Sequence, residues 1–292
     1  MVGGLPSSAQ LAWVVATAAP GATVVDVAGL RDRSSPWRVT LSEGPDLVLR
    51  VGGDVEVMRA EVAGRRAAAE GGLPVATLLD TALDRTPALL LSVALPGSSR
   101  IAEQPDAAHL AALGAAGARV SAVSAPERLP TVDRPVSGVD FGALHAAFPR
   151  PLLLAGADAV ERLGRPTGPV GFVHGDLWHG NTLWSEDGEL TGLLDWDCSG
   201  VGPAGLDLGS LRLDAVLCHG PDAADVVLAG WEEAAGRTAT EVARWDVVAA
   251  LATPPGMDWF VGAIAGQGRP DLDATVLTDR RDAFLESALD RL

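Results

Sequence analysis

The chain contains no lysine and no tyrosine, so every cationic role in its 292 residues falls to 22 arginines. Cysteine is nearly absent too. Cys198 and Cys218 are too few for a disulfide framework and lack zinc-finger spacing, which points to buried thiols in a reducing compartment. The short apolar start, MVGGLPSSAQLAWVVATAA, has no basic residues before it and is a poor signal peptide. No apolar run approaches the roughly 20 residues that a membrane-spanning helix needs, and the expected location is the cytoplasm. Positive charge is also in deficit. A net charge of −16 argues against nucleic acid or an anionic membrane as a partner. The deficit is uneven: residues 1–95 carry a net −2 and residues 96–292 a net −14. A cationic ligand would be drawn to the second part.

Local patterns divide the chain near residue 94. A short helix over 8–19 precedes three strands over 24–27, 37–41 and 47–51, joined by the turn-rich segments GLRDRSSP and SEGPD. A helix over 55–70 ends at Gly71-Gly72, and strands over 76–80 and 88–93 follow. After Leu95-Pro96-Gly97 the texture becomes Ala- and Leu-rich, with helices expected over 105–122, 140–163, 205–217, 221–236, 239–251, 256–267 and 279–291. The expectation is an α+β protein with a small antiparallel-sheet lobe over 1–94 and a larger helical lobe over 95–292.

Between the helical runs lies HGDLWHGN at 174–181, and fourteen positions past its Asn the chain reads LLDWD, with Asp195 at its centre. Asp187-Gly188 is a strong hairpin signal, and the open ends of a hairpin lie side by side. Asn181 and Asp195 bracket this one, so a dozen residues of folding bring an amide oxygen and a carboxylate together. That pair suits magnesium, which takes hard oxygen ligands and few protein groups. Asp176 would face the same space and can accept a proton from an attacking hydroxyl. A basic Asp, an Asn five residues on and an Asp across a hairpin is the layout of a kinase site.

The stretch HGDLWHGN…LLDWDCSGVGPAGLDLG resembles the aminoglycoside phosphotransferase and choline kinase-like family, distant relatives of the protein kinases, strongly over 172–209 and more weakly elsewhere. The resemblance implies a bilobal protein kinase-like fold. It makes Asp176 the catalytic base, Asn181 and Asp195 the ligands of Mg2+, His174 a brace for the loop, and Asp207 a structural anchor of that loop. It implies ATP (or GTP) as co-substrate. Arg50, in Leu47-Val48-Leu49-Arg50-Val51, stands where the family carries its phosphate-gripping Lys, and an Arg can clamp phosphate oxygens through its fork. Glu61 resembles the acidic partner of that cation. Ser92 and Val93, before Pro96-Gly97, resemble the hinge whose backbone meets a purine edge. Residues 31–36 take the place of the phosphate-covering loop without its glycines, with Ser34 and Ser35 as donors to phosphate. Asp197, two positions past Asp195, is assigned a structural role.

The acceptor is sought in the acidic helical part. Asp222, Asp225, Glu232, Glu233 and Asp258, with Trp231 and Trp259 as flat apolar partners, suit a cationic molecule through ion pairing and cation–π contact. An aminoglycoside or a basic peptide antibiotic leads, with an amino-alcohol or sugar metabolite as the alternative, handled by a monomer or homodimer. Two other readings compete: a nucleotide-binding protein without transfer activity, and a hydrolase whose metal sits on His174, Asp176 and His179.

Overall fold

The computed structural model describes residues 5–31, 34–126, 129–136 and 138–292, with the side chains of Arg31 and Ser34 also left outside the description. Residues 32 and 33 of the expected phosphate-covering loop therefore lie outside it. The first element is helix α1 (Ser8–Ala18), started by a capping box in which Ser7 and Gln10 exchange side-chain and backbone hydrogen bonds. Strands β1 (Val24–Arg31), β2 (Ser34–Leu41) and β3 (Leu47–Val51) follow, then helix α2 (Val55–Glu70) and strands β4 (Leu78–Ala82) and β5 (Leu89–Val93). The five strands form one antiparallel sheet in the order β1-β2-β3-β5-β4.

Period-two alternation sorts the sheet's side chains. Leu47, Leu49, Leu89 and Leu91 enter a core with Trp37, Val39 and Val14 of α1. Leu90 points the other way, into a cluster with Met58 and Val62 of α2. Arg50 pairs with Leu90 in register and shares the α2 side. The sheet thus carries an apolar core on one face and, on the other, a helix that meets a strand arginine.

The rest of the chain is helical, with two short ladders set into it. Helices α3 (Ala107–Ser121), α4 (Phe141–Ala147) and α5 (Pro151–Leu163) lead to β6 (Val170–Val173), β7 (Thr182–Trp184), β8 (Leu190–Leu193) and β9 (Gly200–Pro203). Helices α6 (Gly205–His219), α7 (Ala223–Ala235), α8 (Val242–Leu251), α9 (Asp258–Gly266) and α10 (Ala274–Leu289) complete it. The α+β, two-part expectation holds, and three details differ. The single helix expected over 140–163 is broken at Phe148, because Pro149 and Pro151 interrupt it and Pro151 opens α5 at its N1 position. The last helix starts five residues before the expected 279, since Asp273 caps it by accepting from the amides of Thr275 and Val276. The β6–β9 ladder has no counterpart in the sequence reading, because its strands are four residues long.

The Ala- and Gly-rich texture of the second part has a packing reason. Helices α3 and α7 cross so closely that a Cβ on Gly114 would stand 2.0 Å from the Val227 carbonyl, and one on Gly230 2.1 Å from that of Ala111. Helix α2 also reaches past the sheet: Ala67 and Ala68 are buried in the same cluster as Leu110, Leu177, Trp196 and Leu211. Among the described residues, no helix is long and apolar enough to cross a membrane.

Candidate active site

The catalytic loop runs from the end of β6 to the start of β7, and helix α6 holds it from behind. Asp207, buried in the first turn of α6, accepts the His174 amide through Oδ2 at 2.7 Å and the Gly175 amide through Oδ1 at 2.9 Å. Burial pushes its pKa up, against those two N–H groups. Gly175 is required between them: its φ is 81°, and a Cβ there would lie 2.1 Å from the Cys198 carbonyl. The buried His174 ring is fixed at both nitrogens. Nδ1 accepts from the Asp176 amide at 3.3 Å, so Nε2 carries the proton and donates to the Leu194 carbonyl at 2.8 Å. His174 therefore ties the loop to the strand that delivers Asp195.

The β7–β8 hairpin turns at Asp187-Gly188 and pairs Thr182 with Leu193. At its open end the Leu194 amide donates to the Asn181 carbonyl at 2.9 Å. Asp195 then takes a left-handed conformation (φ 60°, ψ 66°), one of three non-glycine residues with positive φ among those described. This bend turns the chain into a short 3-10 turn, Trp196–Cys198, rather than continuing the strand. Both carboxylates nevertheless meet one partner: Arg50 reaches Asp195 Oδ1 through Nη1 at 3.3 Å and Asp197 Oδ2 through Nη2 at 3.1 Å.

Arg50 Nη1 also donates to Glu61 Oε2 at 2.6 Å, and the other Glu61 oxygen accepts from Arg65. Glu61 is buried to 1% within the packing stripe of α2, and burial raises its pKa despite the two arginines. The guanidinium of Arg50 joins the sheet, α2 and the hairpin in one network. Burial lowers its pKa, but the carboxylates of Glu61, Asp195 and Asp197 more than offset this, and the net shift is upward.

Both donated bonds of the Asn181 amide nitrogen go to Asp176, to its carbonyl at 2.8 Å and to Oδ2 at 3.1 Å. The amide oxygen is left as the atom available to a cation, with the Asp195 carboxylate on the adjoining strand. This hard-oxygen pair fits magnesium. Burial, with Asp195 and Asp197 close by, pushes Asp176 up to about 6, well above the usual carboxylate range. The same surroundings push the Cys198 thiol up to about 12.

Other expected residues fall elsewhere. Ser35 spends its hydroxyl inside the sheet, accepting the Val51 amide at 2.8 Å, and the Ser34 side chain is outside the description. Ser92 and Val93 lie in β5 between β3 and β4, and the Val93 amide donates to the Thr77 carbonyl at 2.9 Å, so it is taken up by the sheet. Trp231 is 1% exposed in the central core, which corrects its assignment as an acceptor-stacking ring: its face is spent on packing. Asp222, Asp225 and Glu233 are exposed on α7, Asp225 lies 3.5 Å from Arg212, and Glu232 accepts the Ala239 amide. Asp258 and Trp259 are exposed at the start of α9. Phe260 and Val261 of that helix share a core cluster with Trp178, two residues past Asp176. The competing set of His174, Asp176 and His179 does not converge: both ring nitrogens of His174 are used, and His179 faces Asp214.

Asp214 is a residue that the sequence reading missed. Its Oδ2 accepts the His179 amide at 3.0 Å and makes a short contact with His179 Nδ1. Asp207 and Asp214 lie seven residues apart, two turns along α6, and grip the two ends of the catalytic loop. The available signal was the i, i+7 spacing of two acids on a helix otherwise buried almost throughout.

A sheet-bearing lobe, a helical lobe and a base, amide and carboxylate gathered at their junction define a phosphotransferase of protein kinase-like architecture. A sequence model of the APH phosphotransferase enzyme family matches residues 26–249, and the chain belongs to that family. Solved structures agree in fold. An aminoglycoside phosphotransferase from Alicyclobacillus acidocaldarius superposes with a TM-score of 0.63 at 15% identity, over 98% of this chain and 96% of that one. Macrolide 2'-phosphotransferase MphH from Brachybacterium faecium gives 0.57 at 21% identity, over 96% and 98%. A thermostable mutant of aminoglycoside phosphotransferase APH(4)-Ia, in ternary complex with AMP-PNP and hygromycin B, gives 0.63 at 16% identity, over 96% and 99%. No curated protein sequence matches the chain.

Proposed function

We propose that this enzyme transfers the γ-phosphoryl group of ATP (or GTP) to a hydroxyl of a cationic small molecule, an aminoglycoside or a basic peptide antibiotic, as a resistance-type modifying enzyme of the cytoplasm. The observation that carries the reading is the convergence at Asn181. Its amide nitrogen orients Asp176, and its backbone carbonyl is tied to the residue before Asp195. Asp176 orients the acceptor hydroxyl and takes its proton as the oxygen bonds to the γ-phosphorus and the bond to the β-phosphate oxygen breaks, releasing ADP. Asn181 and Asp195 would hold magnesium, which when bound offsets charge on the phosphates. Arg50 offers its guanidinium to the same phosphates while Glu61, itself held by Arg65, keeps it in place.

The acceptor side is supported by α9, where Asp258 and the 59%-exposed Trp259 stand on a helix whose Phe260 and Val261 pack against the same core cluster as the catalytic loop's Trp178. A carboxylate beside an open indole suits an ammonium group. An ATP-consumption screen over cationic antibiotics, amino-alcohols and neutral sugars, with mass spectrometry of the products, tests the proposal. Phosphorylation of a cationic antibiotic, with an acceptor KM that rises steeply with salt, is expected. Turnover confined to a neutral sugar or an amino-alcohol would replace this acceptor class with the metabolite alternative. ATP binding without consumption on any acceptor would replace it with the inactive reading.

A further inference from the structure

Behind the loop, three metal-ligating side chains of different chemistry meet. Asp214 and Cys218 are one turn apart on α6, and the His179 ring faces them from the 3-10 turn His179–Asn181. One ring nitrogen of His179, one carboxylate oxygen of Asp214 and Cys218 Sγ all lie within 4.8 Å of one another, and all three residues are buried. The thiol lies 3.8 Å from Asp214 Oδ1. Two more histidines border the group, His109 and His219, with ring centres 5.7 and 5.6 Å from that of His179. Two buried ring nitrogens here, His179 Nε2 and His219 Nδ1, have no hydrogen-bond partner. Buried polar atoms are ordinarily paired, and His179 turns its other nitrogen, Nδ1, to Asp214.

We propose that His179, Asp214 and Cys218 form a structural site for a transition-metal ion of the zinc class, distinct from the magnesium position at Asn181 and Asp195. The donor set decides the metal. Nitrogen, oxygen and sulfur together suit zinc, whereas magnesium and calcium call for oxygen alone. Tetrahedral zinc, with bonds of about 2.0–2.3 Å, sets its ligand atoms roughly 3.3–3.8 Å apart, so side-chain rotation that parts His179 Nδ1 from Asp214 Oδ2, now in direct contact, makes room for an ion. Charge balances as well. The Asp214 carboxylate and a Cys218 thiolate cancel a divalent charge, and binding releases the thiol proton to solvent. The fourth position falls to His219 or to water. An ion here pins His179, two residues before Asn181, and so fixes the turn that presents the magnesium ligand.

The test uses the full chain, purified under reducing conditions without chelator, and a second preparation from cells grown with cobalt in place of zinc. Elemental analysis is expected to find about one zinc per chain. The cobalt form should show thiolate-to-cobalt charge-transfer absorption that is lost in Cys218→Ser and kept in Cys198→Ser. The second variant matters because Cys198 stands next to Asp197 on the front side. Asp214→Asn should weaken metal retention about 10–100-fold, with far-UV circular dichroism as the check on folding. Zinc well below stoichiometry and no thiolate band in the unaltered chain would overturn the proposal. A band that survives Cys218→Ser but not Cys198→Ser would overturn it as well, by moving the ion to the front centre.

Discussion

The turn His179–Asn181 separates two polar centres of opposite character. In front, Asn181 faces Asp176, and three carboxylates (Asp195, Asp197 and Glu61) gather around the Arg50 guanidinium. Burial, reinforced by neighbouring carboxylates, holds Asp176 at about 6 and Cys198 at about 12. Behind, His179 faces the buried Asp214, and burial pushes the part-buried His219 down to about 4 and lowers His109, so those imidazoles stay neutral at neutral pH. The front concentrates charge that a cation and a triphosphate can relieve. The rear spends the Asp207 and Asp214 carboxylates on the loop backbone. On the proposed function, two residues of one short turn divide the work: one side supplies chemistry, and the other fixes where the chemistry stands.

If that division holds, front variants cost turnover and rear variants cost stability. The largest effect is expected from Asp176→Asn, which should lower turnover by about 10²–10⁴-fold. Its stability should move the other way. The folded-state pKa of Asp176 lies above its unfolded value, so the folded protein binds the proton more readily and the ionised form is the less favoured one at pH 7. Asn replaces that buried charge, so the melting temperature should rise by about 2–4 °C at pH 7. The gain should fade as pH falls through about 6 toward the unfolded value, as differential scanning calorimetry across pH would record. Melting as low as a rear variant would break the comparison. The same pKa sets the acid limb of activity: kcat/KM should fall as pH drops through about 6, since only the ionised carboxylate accepts a proton. A limb at pH 4 would remove Asp176 as the titrating base.

Asp207→Asn probes the rear with a near-isosteric change. Two backbone amides are now accepted by two carboxylate oxygens, whereas Asn brings one oxygen and an NH2 group that faces a donor. Stability should fall by about 1–3 kcal/mol, read by urea denaturation at pH 7. Turnover should fall too, as the loop loses its hold, but KM for the acceptor less so. Full stability with lost turnover would place Asp207 with the front group.

Asp176, Asn181 and Asp195 were legible in the sequence because they are close in the chain and linked by a hairpin whose turn has a strong signature, whereas Arg50, 145 positions from Asp195, came only with the resemblance. Asn181 and Asp195 had to meet once Asp187-Gly188 turned. Of the rear, Asp207 came with the resemblance but Asp214 did not, because it acts across 35 positions through a helix face and only its i, i+7 spacing from Asp207 marks it. The main helices and the sheet were legible from periodicity and turn residues. The β6–β9 ladder and the break at Phe148 were not, since one is too short for a pattern and the other depends on two prolines inside an Ala- and Leu-rich run. The acceptor wall was the weakest reading. Trp231 has the composition of a stacking platform, but helix packing placed it in the core, and only Trp259 of the two tryptophans stays open.

Arg50→Lys should have the smallest effect, and it sharpens the comparison most finely. Family resemblance places a Lys here, so the substitution restores the expected residue in a site built around a fork. Nη1 serves Glu61 and Asp195 while Nη2 serves Asp197, and a single ammonium cannot span the same three carboxylates. Pairing with the buried Glu61 should survive, and with it the fold. The nucleotide KM should rise about 3–10-fold with kcat changed less, because the ammonium grips phosphate as a point charge rather than through a fork. Steady-state kinetics with varied ATP separates the two constants. A large loss of kcat would mean that the Arg50 fork acts on the transferring group itself. A loss of stability with unchanged kinetics would mean that Arg50 holds the lobes together as Asp207 holds the loop, and the front would then contain a structural clamp of its own.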